Sequence, residues 1–206
     1  MVMKLYYFDS RIIAEPTRLV LVYAKADWED VRIPRDEWPA MKEKMPRGKV
    51  PVLEVDGKYL TESAAICRYV ANKYGLAGND SWEKAKVDEL IDIQKEFYSN
   101  NAPYFYAKVG YHNPEKVDEF YESVAKSVIK QYLTMYTDLL EKNGTGFFVG
   151  KKETLIDFWI SDYIYSLNKM APELVKDFPK VLEHMKRVHE LPQLKEYIAS
   201  RKESLV

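Results

Sequence analysis

One cysteine in 206 residues leaves no partner for an internal disulfide and no thiol pair for a redox motif, which suits a reducing compartment. That thiol, Cys67, follows Ile66 in an amphipathic run and reads as filler of a core or an interface. The three histidines, His112, His184 and His189, lack metal-ligand spacing, so no metal centre is expected. Charge of one sign is not in excess. The 31 basic and 32 acidic residues are interspersed and offer no field to nucleic acid or to an anionic membrane. No apolar run approaches the length of a bilayer span, and the opening Met1-Val2-Met3-Lys4 leads into a β-prone run rather than a signal peptide, so the cytoplasm is the expected location. Internal repeats, low-complexity tracts and nucleotide loops are also missing.

What is present is a hydrophobic fraction of 47%, enough for one large domain or two small ones, and a stretch from Arg47 to Ser63 that dictates backbone closely. Val52 to Val55 is β-prone, Asp56-Gly57 suits a two-residue type I′ turn, and Lys58 to Thr61 returns as the second strand of a hairpin. Ser63 is the candidate N-cap of an amphipathic helix closed by Gly75. Pro51 has no N–H to give to a ladder, so Val50 is expected at a sheet edge with its backbone open to an extended partner. The start of the helix at Ser63 offers unpaired N–H groups that suit a carboxylate.

Upstream, residues 3–8 read as a strand, 16–26 as a helix with Pro16 in its first turn, 28–33 as a second strand and 36–45 as a short helix. The order β-α-β-α-β-β-α is thioredoxin-like. Glycine, Asn and Asp cluster over residues 75–80, after which strand signals vanish. The expected division is therefore an α/β thioredoxin-like domain over 1–76, a linker at 77–80 and an all-α domain over 81–206, with helices at 82–109, 114–142, 154–169, 179–190 and 192–202. Thr154 and Asp157 form a capping box, a structural role that removes Asp157 from the catalytic candidates.

Lys49-Val50-Pro51, the hairpin, and Glu62-Ser63 opening a helix closely resemble the glutathione-binding half of a cytosolic glutathione transferase, and the resemblance covers nearly the full chain. Lys4 to Phe8, Asp36-Glu37-Trp38-Pro39 and Thr154 to Phe158 are most similar to the sigma class and its nematode and insect relatives. That class also contains glutathione-dependent prostaglandin D synthases and the lens S-crystallins. The resemblance implies a homodimer that uses glutathione as co-substrate and a small hydrophobic electrophile as its second ligand. It leaves three functions in view: conjugation, prostaglandin isomerisation, and a non-catalytic carrier or structural role.

Glutathione becomes a good nucleophile only when its thiol, of pKa about 8.5, is ionised, and a hydroxyl donating to the thiolate lowers that value. Tyr7 matches the family's catalytic tyrosine; Ser10, in the loop that follows, is the rival hydroxyl. By the same resemblance, Phe8 and Arg11 belong to the glutathione site. Trp38 and Lys42 would hold the glycine carboxylate with Lys49 alongside. Val50, ahead of Pro51, would pair with the cysteinyl backbone, Glu62-Ser63 would hold the γ-glutamyl end, and Glu96 would reach the amine of glutathione in the neighbouring subunit. Ile12, Ile13, Tyr98, Asn101, Tyr104 and Phe105 would form an apolar, aromatic wall for the electrophile.

Several positions depart from the family pattern. Glu62 replaces the usual Gln. Ile13 replaces an arginine thought to help polarise the thiol. Lys95, between Asp92 and Glu96, opposes a divalent ion in the acidic cluster of the family. Arg47 replaces an aromatic that plugs the partner subunit, which implies a more polar dimer interface.

Overall fold

The computed structural model describes residues 2–206. In β1 (Met3–Phe8) alternate residues are buried, so Met3, Leu5 and Tyr7 point inward while Lys4, Tyr6 and Phe8 stay half-buried. Helix α1 (Glu15–Tyr23) crosses over to β2 (Trp28–Ile33), which pairs parallel with β1 from Met3↔Trp28 to Phe8↔Ile33. The helix is shorter than expected. Lys25 turns left-handed at φ 49, and the Ala26 N–H returns to the Leu21 carbonyl at 3.0 Å. A short helix α2 (Trp38–Lys42) and a 3₁₀ turn (Pro46–Gly48) precede β3 (Val52–Val55) and β4 (Lys58–Thr61). Asp56 and Gly57 have φ of 47 and 78, the double left-handed pair that a type I′ turn requires.

The sheet order is β2-β1-β3-β4, so the thioredoxin-like order read from the sequence holds. It also corrects one inference. β3 lies between β1 and β4, and its ladders begin at Val52, opposite Tyr6 and Thr61. Val50 therefore lies beyond the end of a central strand rather than at a sheet edge. Helix α3 (Ser63–Lys73) begins one residue earlier than expected: Glu62, at φ 71, accepts the Ile66 N–H at 2.9 Å and takes the capping position, leaving Ser63 as the first helical residue. Gly75 at φ 72 ends the helix, and the Leu76 N–H closes on the Ala71 carbonyl at 2.8 Å.

Every further regular element is helical. Asp80 caps α4 (Ser81–Asn100) by accepting the Glu83 N–H at 2.8 Å. The single helix expected over 82–109 is two, α4 and α5 (Ala102–Lys108), because Pro103 has no N–H with which to continue the ladder. After a 3₁₀ turn (Pro114–Lys116) come α6 (Val117–Phe120), one π turn (Tyr121–Ala125) and α7 (Lys126–Asn143). The buried helix α8 (Leu155–Met170) opens at the expected capping box, with the Thr154 N–H donating to the Asp157 carboxylate at 2.8 Å. The chain finishes with α9 (Pro172–Val175), α10 (Pro179–His189) and α11 (Lys195–Ser200).

One hydrophobic cluster runs from Leu5 through Ile66 and Val70 to Phe158 and Ile164, so sheet and helices share a core. A buried ionic network joins them as well. Asp162 on α8 accepts from Arg11 at 2.9 Å and Arg201 at 2.8 Å, while Glu15 on α1 accepts from Arg201, Arg18 and the Tyr197 hydroxyl.

Candidate active site

The inward side of β1 ends at Tyr7, where the sheet meets α4, α5 and α8, and a cavity of about 440 Å³ opens there. Tyr7, Phe8, Ser10, Ile12 and Ile13 form its sheet side; Tyr98, Phe105, Tyr106, Val109 and Trp159 face them from the helices. A second cavity of about 170 Å³ is lined by Arg47, Lys49, Val50, Pro51, Glu62 and Ser63, with Pro46 and Thr61. Ile13 and Ser63 line both, so the two spaces adjoin at the mouth of α3. The Val50–Pro51 peptide bond is cis.

Burial pushes the Tyr7 phenol up to about 12. The Arg18 guanidinium, 5.8 Å from the Tyr7 ring centroid, offsets part of that rise, as do the Ile13 backbone and Arg35. Tyr7 thus keeps its proton at neutral pH and has a hydrogen to donate. Arg18 is fully buried and fixes the loop behind Tyr7, donating to the Ser10 carbonyl at 2.6 Å, the Phe8 carbonyl at 3.3 Å, Glu15 at 3.2 Å and Asp30 at 3.0 Å. Arg35 lies 4.5 Å over Phe8 and 5.1 Å over Tyr111, which brings positive charge to the rim of the larger cavity.

The two cavities thus gather Tyr7, Phe8, Lys49, Val50, Pro51, Glu62 and Ser63, along with Ile12, Ile13, Tyr98 and Phe105. Others are placed elsewhere. Arg11 lines neither cavity; it donates to Asp162, itself a lining residue of the larger one, at 2.9 Å and to the Leu205 carbonyl at 2.7 Å. Asn101 and Tyr104 are core residues rather than wall: the Asn101 amide donates to the Tyr163 hydroxyl at 3.1 Å, and the Tyr104 hydroxyl to the Met170 carbonyl at 3.0 Å. They occupy the break between α4 and α5, where the chain turns inward at Pro103. Trp38 packs edge-on against Phe8 at 5.2 Å, and the Lys42 stem lies near Gly48, so each adjoins a lining residue or its neighbour without lining either cavity itself. Glu96 accepts the Tyr132 hydroxyl at 2.7 Å on the exposed side of α4, and Asp92 accepts from Arg68 at 3.4 Å. Among the described residues no group of three His, Cys, Asp or Glu side chains could hold a metal ion.

The wall is less apolar than expected. Ser10, Arg35, Gln94 and Asp162 belong to it, and the Ser10 hydroxyl, Gln94 amide nitrogen and Tyr98 hydroxyl are buried without partners. Sequence reasoning missed Arg35, Tyr106, Tyr111 and the α8 residues. A loop arginine gives no periodic signal, and a helix buried all round hides which residues meet a cavity. Arg47 was expected against a partner subunit; within the chain it pairs with Glu62 across the smaller cavity.

A thioredoxin-like sheet that brings a buried tyrosine to a cleft shared with a helical bundle is the architecture of the thioredoxin-like class with an appended helical part. The comparisons carry this to the family. Residues 1–72 match the glutathione S-transferase N-terminal domain and residues 95–201 its C-terminal domain. Glutathione S-transferase 1 of Ascaris suum is 36% identical over 198 residues, 96% of each chain. Among solved structures, the glutathione S-transferase from Ascaris lumbricoides superposes with a TM-score of 0.94 at 34% identity over all of both chains. A Nu-class transferase from Haemonchus contortus gives 0.90 at 38%, covering 100% of this chain and 99% of its own. The chain belongs to the glutathione S-transferase family, whose members are transferases that use glutathione as co-substrate.

Proposed function

We propose that the smaller cavity holds glutathione with its thiol directed at Tyr7, and that the thiolate attacks a hydrophobic electrophile seated in the larger cavity. The observation that carries this reading is the junction of the two spaces at Ile13 and Ser63, with Tyr7, protonated at neutral pH, lining the larger of them. Tyr7 donates to the sulfur, and Arg18 and Arg35 add positive potential behind it. Lys49, beside Val50, faces a carboxylate of the peptide, and the N–H groups opening α3 at Ser63 face the other. Trp38 and Lys42 hold the glycine carboxylate together with Lys49. The sulfur forms a bond to the electrophilic carbon, and the leaving group departs with the bonding pair.

The finer assignments belong to the same proposal. Tyr7 at the end of β1, with the Asp36 to Pro39 segment, supports a sigma-like member acting as a homodimer, in which Glu96 reaches the glutathione amine of the neighbouring subunit. The change from sheet to helices supports a thioredoxin-like domain over 1–76, a linker at 77–80 and a helical domain over 81–206. The near-balanced charge and single cysteine support a cytoplasmic location. Among the described residues no helix is long and apolar enough to cross a membrane.

The test is retention on immobilised glutathione together with turnover of a chromogenic aryl halide. Both are expected. Retention without turnover makes the protein a carrier or structural protein instead, and failure of both removes the glutathione site.

A further inference from the structure

We propose that the larger cavity takes an aromatic electrophile that carries a carboxylate, and that Arg35 and Tyr111 at its rim hold that carboxylate while the ring reaches the sulfur beside Tyr7. This rests on the reading that glutathione delivers its thiol to Tyr7. Three charged side chains line the cavity: Arg35, Lys95 and Asp162. Asp162 accepts from Arg11 at 2.9 Å and from Arg201 at 2.8 Å, so its charge is matched within the protein. Neither Arg35 nor Lys95 is paired with a carboxylate among the described residues. The positive excess of the wall is complementary to an anion.

Of the two cations, Arg35 is the one held in place. Its guanidinium lies 4.5 Å from the Phe8 ring centroid and 5.1 Å from that of Tyr111, and it donates one N–H to the Tyr111 hydroxyl at 3.3 Å. The rest of the fork is free for a carboxylate, and the Tyr111 hydroxyl keeps its own hydrogen to donate. Tyr111 is 53% exposed, so a charged group held here stays partly hydrated and avoids the cost of full burial. The spacing sets the shape of the ligand. Phe8 packs against both Arg35 and Tyr7, its ring 5.6 Å from that of Tyr7. A carboxylate on Arg35 and an electrophilic carbon at the sulfur are thus separated by about the length of an arene. Tyr106, 5.9 Å from Tyr111, continues the aromatic wall along that path.

The experiment measures steady-state conjugation of glutathione with two aryl chlorides, neutral 1-chloro-2,4-dinitrobenzene and anionic 4-chloro-3,5-dinitrobenzoate. In both, sulfur bonds the ring carbon and chloride leaves with the bonding pair; the carboxylate does not react. The readout is the ratio of kcat/KM for the benzoate to kcat/KM for the neutral halide, in which any effect on thiol ionisation cancels. Arg35→Met is expected to lower that ratio about threefold to tenfold, through KM for the benzoate. Arg35→Lys, which keeps the charge, should recover part of it, and Lys95→Met should leave it within about twofold of native. A ratio unchanged in Arg35→Met overturns the proposal, and so does an equal loss in Lys95→Met, which would make the preference a property of the general field. Native turnover of the neutral halide separates these failures from failure of the glutathione reading, which would abolish turnover of both halides.

Discussion

Tyr7→Phe removes one hydroxyl and leaves the ring where it packs, 5.6 Å from Phe8 and 5.8 Å from the Arg18 guanidinium. The fold is expected to tolerate it. A hydrogen bond to a charged acceptor contributes about 1.5–3 kcal/mol. At about 1.4 kcal/mol per unit, the bound thiol rises by about one to two pKa units when the donor is lost. A thiol that the hydroxyl holds near about 7 then returns towards about 8.5. At pH 6.5 turnover falls by about tenfold or more, because rate follows the thiolate fraction. Above about pH 9 the thiol is ionised in both proteins and the ratio shrinks to the donor's direct effect on attack. Tyr7 itself, pushed up to about 12, does not titrate in this range, so the midpoint belongs to glutathione. The assay is kcat/KM for an aryl halide across pH, with the thiolate ultraviolet absorbance of the bound complex and Ser10→Ala as comparison. An unchanged midpoint in Tyr7→Phe, or a loss of midpoint in Ser10→Ala instead, would refute the assignment.

Three further outcomes follow from the packing around the site. His189 is held neutral, burial pushing it down to about 4, while the unfolded chain titrates near about 6.5. The unfolded state alone binds a proton between these values, so stability present above pH 6.5 is lost as pH falls. Between pH 7.5 and 5.5 the contribution is about 1 kcal/mol; denaturation of His189→Phe at both values should show that increment gone. Arg18→Met strips the Phe8 and Ser10 carbonyls and two carboxylates of a buried partner and should lower stability by about 3 kcal/mol or more, with a shift under about 1 kcal/mol counting against it. Tyr104→Phe should cost about 1 kcal/mol and leave the electrophile KM unchanged, whereas Val109→Ala should alter that KM with little effect on stability; the opposite pattern would return Tyr104 to the cavity wall.

Where the sequence was legible, the determinant was local. Alternation marks β1, a left-handed Asp56-Gly57 pair makes the hairpin, Gly75 ends α3, and Thr154 with Asp157 opens α8, each within a few residues of its cause. Failures occur where distant side chains compete for the same group. Arg11 sits in the loop that follows Tyr7, yet a carboxylate 151 residues away captures it. Asn101 and Tyr104 share a stretch with Tyr98 and Phe105, but Pro103 breaks the helix between them, so one pattern of aromatic residues divides into wall and core. Ser63 missed the cap by one position because Glu62 adopts φ 71, a conformation that a glutamate sequence gives no reason to expect.

The same competition bears on how a thiolate is stabilised without an arginine at position 13. Ile13 contributes its backbone to Tyr7 and its side chain to both cavities, while the positive charge comes from Arg18 beneath the ring and Arg35 at the rim. Neither cation needs to touch the sulfur. A charge fixed in a buried position acts through a medium that screens it weakly, and Arg18 is locked by four acceptors, so its field at Tyr7 requires no reorganisation when the thiol ionises. Arg11 is held instead by Asp162 and by the Leu205 carbonyl. On the proposed reading, thiolate stabilisation should be more sensitive to Arg18 and Arg35 than to any side chain placed at position 13, and a thiol midpoint unmoved by Arg35→Met would count against it.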